Sequence, residues 1–181
     1  METKITKITI GGLSGTGKGT VSKGLAEKIG FKFTSAGNFF RELAKEKGYN
    51  SVLEFQKIIH SPENKDFSVD VEVDERTKKF GSENDRFIIE GRLCAHMIPG
   101  AFKILLTCNE EERFKRVAER QGVDFETAKK ETLERENLYT NFYKTFYKIE
   151  NYLDERYYDL IIDTTSISPE EIIQDLINKI R

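Results

Sequence analysis

A chain of 181 residues, 33% charged and 38% hydrophobic with a net charge of −2, has the balance of a single soluble domain with a substantial core. That charge does not mark a general nucleic-acid binder, and no apolar run approaches membrane-spanning length. The N-terminus lacks a signal-peptide core, and Cys94 and Cys108 lack metal or redox spacing, so apolar packing in a reducing cytoplasm is expected.

The first element is the apolar run Ile5–Ile10, which reads as a strand. It leads into Gly12-Leu13-Ser14-Gly15-Thr16-Gly17-Lys18-Gly19-Thr20, after which Val21, Leu25 and Ile29 recur on one helical face. Strand, glycine-rich turn, lysine and helix together make a phosphate cradle. Glycines permit the tight bend and remove β-carbons that would block an approaching phosphate. Backbone N–H groups and the positive end of the helix then face the anion, and Lys18 brings a mobile charge to the β- and γ-phosphates. Gly12, Ser14, Gly15, Thr16, Gly17, Lys18, Gly19 and Thr20 are therefore the expected ATP contacts. A flexible loop with a surface lysine is the bland alternative, and it explains neither flanking element. A GTPase would also need Asp-x-x-Gly, which the chain lacks, and Asn-Lys-x-Asp, of which Asn64-Lys65-Asp66 falls one residue short.

Phe31–Thr34 reads as a second strand, and Ser35 as the N-cap of a helix running through Leu43 and Ala44 to Gly48. Arg41, two turns in, offers a planar fork for a second phosphate, although a lone arginine on a helix is usually solvated. Ser51–Ser61, with Leu53, Phe55, Ile58 and Ile59, reads as a helix broken at Pro62. In the acidic helix that follows, Asp70 and Asp74 lie one turn apart on one face. A solvated face is their ordinary reading; the alternative is a carboxylate accepting from the amino group of a cytosine.

Phe87–Ile89 is the third strand, ending in Glu90-Gly91-Arg92, where open α/β sheets place their ligands. Glu90 could there steady a magnesium-bound water, and Arg92 could reach a phosphate. Phe102–Leu106 makes a fourth strand, followed by a charged helix with Arg113, Arg116 and Arg120, for which salt bridging such as Glu112 to Arg116 is the structural alternative. From Phe125 to about Leu153 the chain is strongly helical, with Arg135 and an apolar stripe of Phe142, Phe146, Ile149 and Leu153 expected in the core. Leu160–Ile162 is the last strand, ending in Asp163-Thr164-Thr165. Ser168-Pro169-Glu170-Glu171 then opens a terminal helix whose Ile172, Ile173, Leu176, Ile177 and Ile180 face the sheet. Five short strands alternating with helices give an α/β fold, a parallel sheet covered on both faces.

With Gly-Thr-Gly-Lys-Gly-Thr at 15–20, Ser-Ala-Gly-x-x-x-Arg at 35–41, Glu-Gly-Arg at 90–92, Leu-Glu-Arg-Glu at 133–136 and Tyr-Asp-Leu-Ile-Ile-Asp-Thr at 158–164, the chain resembles the short archaeal cytidylate kinases of the P-loop nucleoside monophosphate kinase family. The resemblance runs nearly end to end, and the order of the five motifs is its specific feature. An adenylate kinase would carry Asp-Gly-Phe-Pro-Arg where this chain has Glu-Gly-Arg-Leu. The resemblance implies a three-layer P-loop NTPase fold with sheet order 2-3-1-4-5, one domain over 1–181, an acceptor-binding region at 35–83 and a lid at 121–142. It implies transfer of the ATP γ-phosphoryl group to CMP or dCMP, giving CDP or dCDP, with Mg2+ as cofactor and a monomeric enzyme as the expected state. Neither nucleic acid nor membrane is an expected partner.

Carried onto this sequence, Ser35, Gly37, Arg41 and Arg92 would bind the acceptor, with Asp70 or Asp74 as candidates for the base. Arg116 would lie against the adenine of ATP, with the loop after Asp163 at the adenine edge. Arg120 would bind phosphate, Arg135 would belong to the lid, and Thr20 with Glu90 (through water) would serve the metal. Lys18, Arg41, Arg120 and Arg135 are the expected catalytic residues. One position departs from the pattern: where a further lid arginine should precede Tyr143, this chain has Phe142. Either Lys144 substitutes, or the lid closes with one charge fewer. A same-fold kinase for UMP, AMP or another small acceptor and a non-catalytic ATP-binding regulator are the alternatives; Arg41 and Arg92 argue against the regulator. No general base is required, so His60 and His96 are expected to be ordinary helix or loop residues.

Overall fold

The computed structural model describes residues 5–61 and 67–180, the Leu53 side chain apart; Pro62, read above as a helix breaker, and the triplet Asn64-Lys65-Asp66 lie outside the described residues. The chain begins with β1 (Lys7–Gly11), α1 (Lys18–Ile29), β2 (Lys32–Ser35), α2 (Ala36–Glu46), α3 (Val52–Ile59) and α4 (Ser68–Glu83). It continues through β3 (Phe87–Glu90), α5 (Cys94–Met97), β4 (Phe102–Thr107), α6 (Glu110–Gln121) and α7 (Phe125–Tyr147). A 3-10 turn (Glu155–Tyr157), β5 (Leu160–Asp163) and α8 (Pro169–Ile180) complete it. The five strands are parallel, as the alternation of strands and helices led one to expect, and ordered β2-β3-β1-β4-β5, as the family resemblance implied.

Alternation along each strand sorts the core into two layers. Ile8, Ile10, Ile88, Ile104, Leu106 and Ile162 point to one face and bury against Val21 and Leu25 of α1 and Ile173, Leu176 and Ile177 of α8. Phe87 and Ile89 point to the other face, where Leu93, Met97, Tyr139, Phe142 and Tyr143 cover them. Full burial of each such side chain stabilises the fold by about 1.5–3 kcal/mol, so the central strands are held from both sides. A smaller cluster of Leu43, Phe55, Ile59, Val69 and Val73 joins α2, α3 and α4 beside the sheet.

Because all strands run one way, their carboxyl ends line one edge. Ile10 is in register with Glu90, Glu90 with Ser35, and Thr107 with Asp163. Ser35 both ends β2 and caps α2, its hydroxyl accepting from the Asn38 N–H at 3.0 Å. Ser168 and Glu171 close a reciprocal capping box at the start of α8.

Two expectations are corrected. The helix expected to reach Leu153 ends at Tyr147, because Lys148 turns left-handed at φ 59° and the Ile149 N–H folds back to the Tyr143 carbonyl at 3.2 Å. The apolar stripe consequently breaks up: Phe142 is 3% exposed and stacks on Phe67 at 4.3 Å between ring centroids, whereas Phe146 is 59% exposed. Ile149 and Leu153 reach the core only as half-buried residues beyond the helix end.

Candidate active site

The loop from Gly12 to Lys18 leaves the end of β1 at the centre of the sheet. Gly12 has φ 140°, and a β-carbon there would stand 2.3 Å from the Leu106 carbonyl, so the loop can pass β4 only without a side chain. Inside the loop, the Thr16 hydroxyl donates to the Leu13 carbonyl at 2.9 Å, and Lys18 Nζ donates to the same carbonyl at 2.7 Å. Helix α1 opens after Gly17 with no side-chain cap, so its first N–H groups face the loop ready for an anion. Burial lowers the Lys18 ammonium to about 8; the charges of Arg92 and Arg120 press the same way, and Glu90 opposes them. An ammonium crowded by cations and short of water is poised to take up phosphate charge.

The loop is gripped from the α6 side. Gly15 has no room for a β-carbon, which would lie 2.3 Å from the Arg113 carbonyl. The Arg113 side chain, 4% exposed, donates from Nη1 to the Ser14 carbonyl at 2.9 Å and to Glu136 Oε1 at 2.8 Å. A buried ion pair thus ties α6 to α7 and holds the tip of the loop. Arg116 donates to Glu112 at 2.9 Å and, through Nη2, to the carbonyls of Thr164 and Thr165 at 3.0 and 3.1 Å. The salt bridge and the nucleotide-side placement are therefore compatible: Arg116 lies between the phosphate loop and the loop after β5. Beside it, Thr107, Cys108, Asn109, Asp163 and Thr165 line an open depression.

A separate cavity of about 230 Å3 opens beside the phosphate loop, just under the usual range of about 300–1,000 Å3 for small-molecule sites. Gly37 and Arg41 from α2, Asp70 and Asp74 from α4, Arg92 after β3 and Arg135 from α7 line it together. Arg41 is exposed and donates to the Asn38 side chain. The guanidinium of Arg92 sits 4.5 Å from the Tyr139 ring centroid. Arg92 and Arg135 both reach the Ser14 hydroxyl, in long contacts of 3.5 and 3.4 Å. Their buried Nε atoms have no hydrogen-bond partner among the described residues. Burial, with Arg92 and Arg120 nearby, pulls Arg135 below the ordinary arginine pKa. Two underused guanidinium groups side by side at the phosphate loop form a site for an anion.

The solvated reading of Asp70 and Asp74 fails, since they are 7% and 8% exposed. Asp70 is held by His60 at 3.1 Å and by the Tyr139 hydroxyl at 3.0 Å, and Asp74 accepts from the Tyr147 hydroxyl at 2.9 Å. His60 is thus a structural partner at the end of α3, and His96 contacts the Tyr152 carbonyl at 3.2 Å. Arg120 is exposed and makes no hydrogen bond or ion pair among the described residues, yet it lies near enough to Lys18 and Arg135 to bias both.

For a divalent cation, the Thr20 hydroxyl stands exposed on the first turn of α1 and Glu90 ends β3 near Lys18. No group of three His, Cys, Asp or Glu able to cage a metal occurs among the described residues. Magnesium needs no such cage, because one or two protein oxygens complete a shell of phosphate oxygens and waters. The donor set fits that ion.

Sequence reasoning named Arg113 on its charged helix and Glu136 within Leu-Glu-Arg-Glu but did not pair them, and it gave the tyrosines of α7 no role. The signal was the helical period: Arg113 shares its face with the buried Val117, and Glu136 continues the buried series Ala128, Thr132 toward Tyr139 and Tyr143.

A glycine-rich loop and lysine at the centre of a parallel sheet, with a second anion site beside it, define a P-loop phosphotransferase. Solved structures agree on the fold: a shikimate kinase from Acinetobacter baumannii superposes with a TM-score of 0.61 at 16% identity, covering 98% of this chain and 93% of that one. An uncharacterized protein from Eubacterium ventriosum gives 0.70 at 23% identity over 98% of both chains. The chain belongs to the cytidylate kinase-like family, whose profile matches residues 7–166. It is 38% identical over 172 residues to the cytidylate kinase of Methanococcoides burtonii, covering 95% of this chain and 94% of that protein. To the cytidylate kinase of Pyrococcus horikoshii it is 41% identical over 167 residues, covering 91% and 83%.

Proposed function

We propose that the chain transfers the γ-phosphoryl group of ATP to CMP or dCMP, giving ADP and CDP or dCDP. The observation that carries this reading is the cavity in which Arg41, Arg92 and Arg135 meet Asp70 and Asp74 directly beside the phosphate loop. A protein that only bound ATP would have no use for a second, cationic cavity with buried carboxylates.

In this reading the loop from Gly12 to Thr20 holds the donor phosphates, and Arg116 with the loop after Asp163 borders the adenine. Ser35, Gly37, Arg41 and Arg92 bind the acceptor, with Arg41 on its phosphate. An acceptor phosphate oxygen attacks the γ-phosphorus, and the bond from that phosphorus to the β,γ-bridging oxygen breaks as ADP leaves. The acceptor is largely dianionic at neutral pH, its second pKa being about 6, so no side chain need remove a proton. That agrees with histidines engaged in structural hydrogen bonds. Lys18, Arg120 and Arg135 spread the charge of the transferring group, and closure of the segment 121–142 excludes water. Thr20 and, through water, Glu90 would hold Mg2+, which supplies charge neutralisation at the β- and γ-phosphates.

A coupled assay of ADP release across nucleoside monophosphates tests the reading. CMP and dCMP should be used far better than AMP or GMP, with UMP between them; AMP as the best acceptor would overturn it. No helix among the described residues is long and apolar enough to cross a membrane.

A further inference from the structure

The two acceptor-side carboxylates are not equivalent. Both oxygens of Asp70 are taken up within the protein, Oδ1 by the Tyr139 hydroxyl at 3.0 Å and Oδ2 by His60 Nε2 at 3.1 Å. Asp74 spends only Oδ2, on Tyr147 at 2.9 Å; its Oδ1 has no hydrogen-bond partner among the described residues, and the residue lines the cavity. A dianionic phosphate is drawn to Arg41, Arg92 and Arg135 and repelled by carboxylates. The base of a bound mononucleotide is therefore directed to the Asp74 region, between the apolar Val52, Val73 and Tyr143.

Resting on the phosphotransfer reading above, we propose that Asp74 reads position 4 of the pyrimidine, and that its protonation state selects between a 4-amino and a 4-oxo acceptor. An ionised carboxylate only accepts hydrogen bonds, which matches the amino group of cytosine and opposes the carbonyl of uracil. A protonated carboxyl can donate to that carbonyl. Both states are accessible near neutrality: burial raises Asp74 to about 7, the Tyr147 hydrogen bond and Lys78 pull it down, and Asp70 and Glu75 push it up.

The other groups facing it hold their charge through that window. Burial raises the Tyr143 and Tyr147 phenols of α7 and the Cys94 thiol of α5, so all three stay neutral. Arg92 and Arg135 across the cavity stay cationic. His60 contacts Asp70 rather than Asp74.

The test is the ratio of kcat/KM for CMP to that for UMP as a function of pH. This ratio reports the free enzyme and cancels titrations common to both acceptors, including the second phosphate ionisation and Lys18. It should rise with pH by roughly tenfold or more between about pH 6 and pH 8, one proton allowing at most tenfold per unit. Asp74→Asn, which presents donor and acceptor at every pH, should flatten the profile and lower discrimination. Tyr147→Phe removes a hydrogen bond that favours the ionised form, so the midpoint should move to higher pH; this variant decides the matter should Asp74→Asn not fold. A wild-type ratio independent of pH, or an unchanged slope in Asp74→Asn, overturns this inference while CMP turnover leaves the phosphotransfer reading standing. Absence of turnover with either pyrimidine overturns both.

Discussion

Breaking the buried pair between Arg113 and Glu136 separates what holds the fold from what positions the phosphate loop. The two side chains are 4% and 11% exposed and meet at 2.8 and 3.4 Å. Glu136→Leu strands a guanidinium in the interior, at a cost of about 3–5 kcal/mol. Against a total stability of about 5–15 kcal/mol, and at about 2–4 °C per kcal/mol for a chain of this size, the melting temperature should fall by roughly 6–20 °C. Adding Arg113→Met replaces the pair by apolar groups of similar volume and should restore most of that loss. It also removes the donor at 2.9 Å from the Ser14 carbonyl, so the tip of the phosphate loop loses its tether. The double variant should therefore melt near wild type yet turn over slowly, by tenfold or more at about 1.4 kcal/mol per decade. Thermal melts beside steady-state kinetics read both effects. A stable and fully active double variant would show that Arg113 does not position the loop, and an unaffected Glu136→Leu would show that the pair is not buried in solution.

Lys18→Ala should fold and lose on the order of 100-fold or more in kcat, since the lysine acts on charge that develops during transfer. In the wild type, the cationic Lys18 is present below about pH 8 and lost above it, so kcat/KM for ATP should fall as pH rises through about 8; a profile flat to pH 10 would refute the assignment. Phe142→Arg should lower the melting temperature and give no gain in CMP turnover, because the ring is stacked on Phe67 inside the core and a guanidinium there would be unpaired. A variant as stable as wild type and faster would place that position at the nucleotide cleft.

What could be read from the sequence was what local pattern controls. Five apolar runs gave the strands, the glycine spacing gave the phosphate loop, and Ser35 and Ser168 marked helix starts that the hydrogen bonds bear out. What could not be read depends on partners distant in the chain. Asp70 and Asp74 have the spacing of a solvated face, and their burial is compensated by His60, ten residues from Asp70, and by Tyr139 and Tyr147, 69 and 73 residues away. Arg113 looks like any charge of a polar helix until Glu136 arrives 23 residues later. The end of α7 turned on one left-handed residue, Lys148, where no glycine gives notice. The four-residue α5 is too short to show a period.

The most direct measurement follows the transferred group itself. ATP labelled at the γ-phosphate is incubated with equal concentrations of CMP and AMP, Mg2+ and the protein, and the nucleotides are separated. The account predicts label in the β-phosphate of CDP, formed one for one with ADP, at a rate lower by on the order of 100-fold or more when Lys18→Ala replaces the wild type. Label released as inorganic phosphate, or transferred to AMP in preference to CMP, would contradict it.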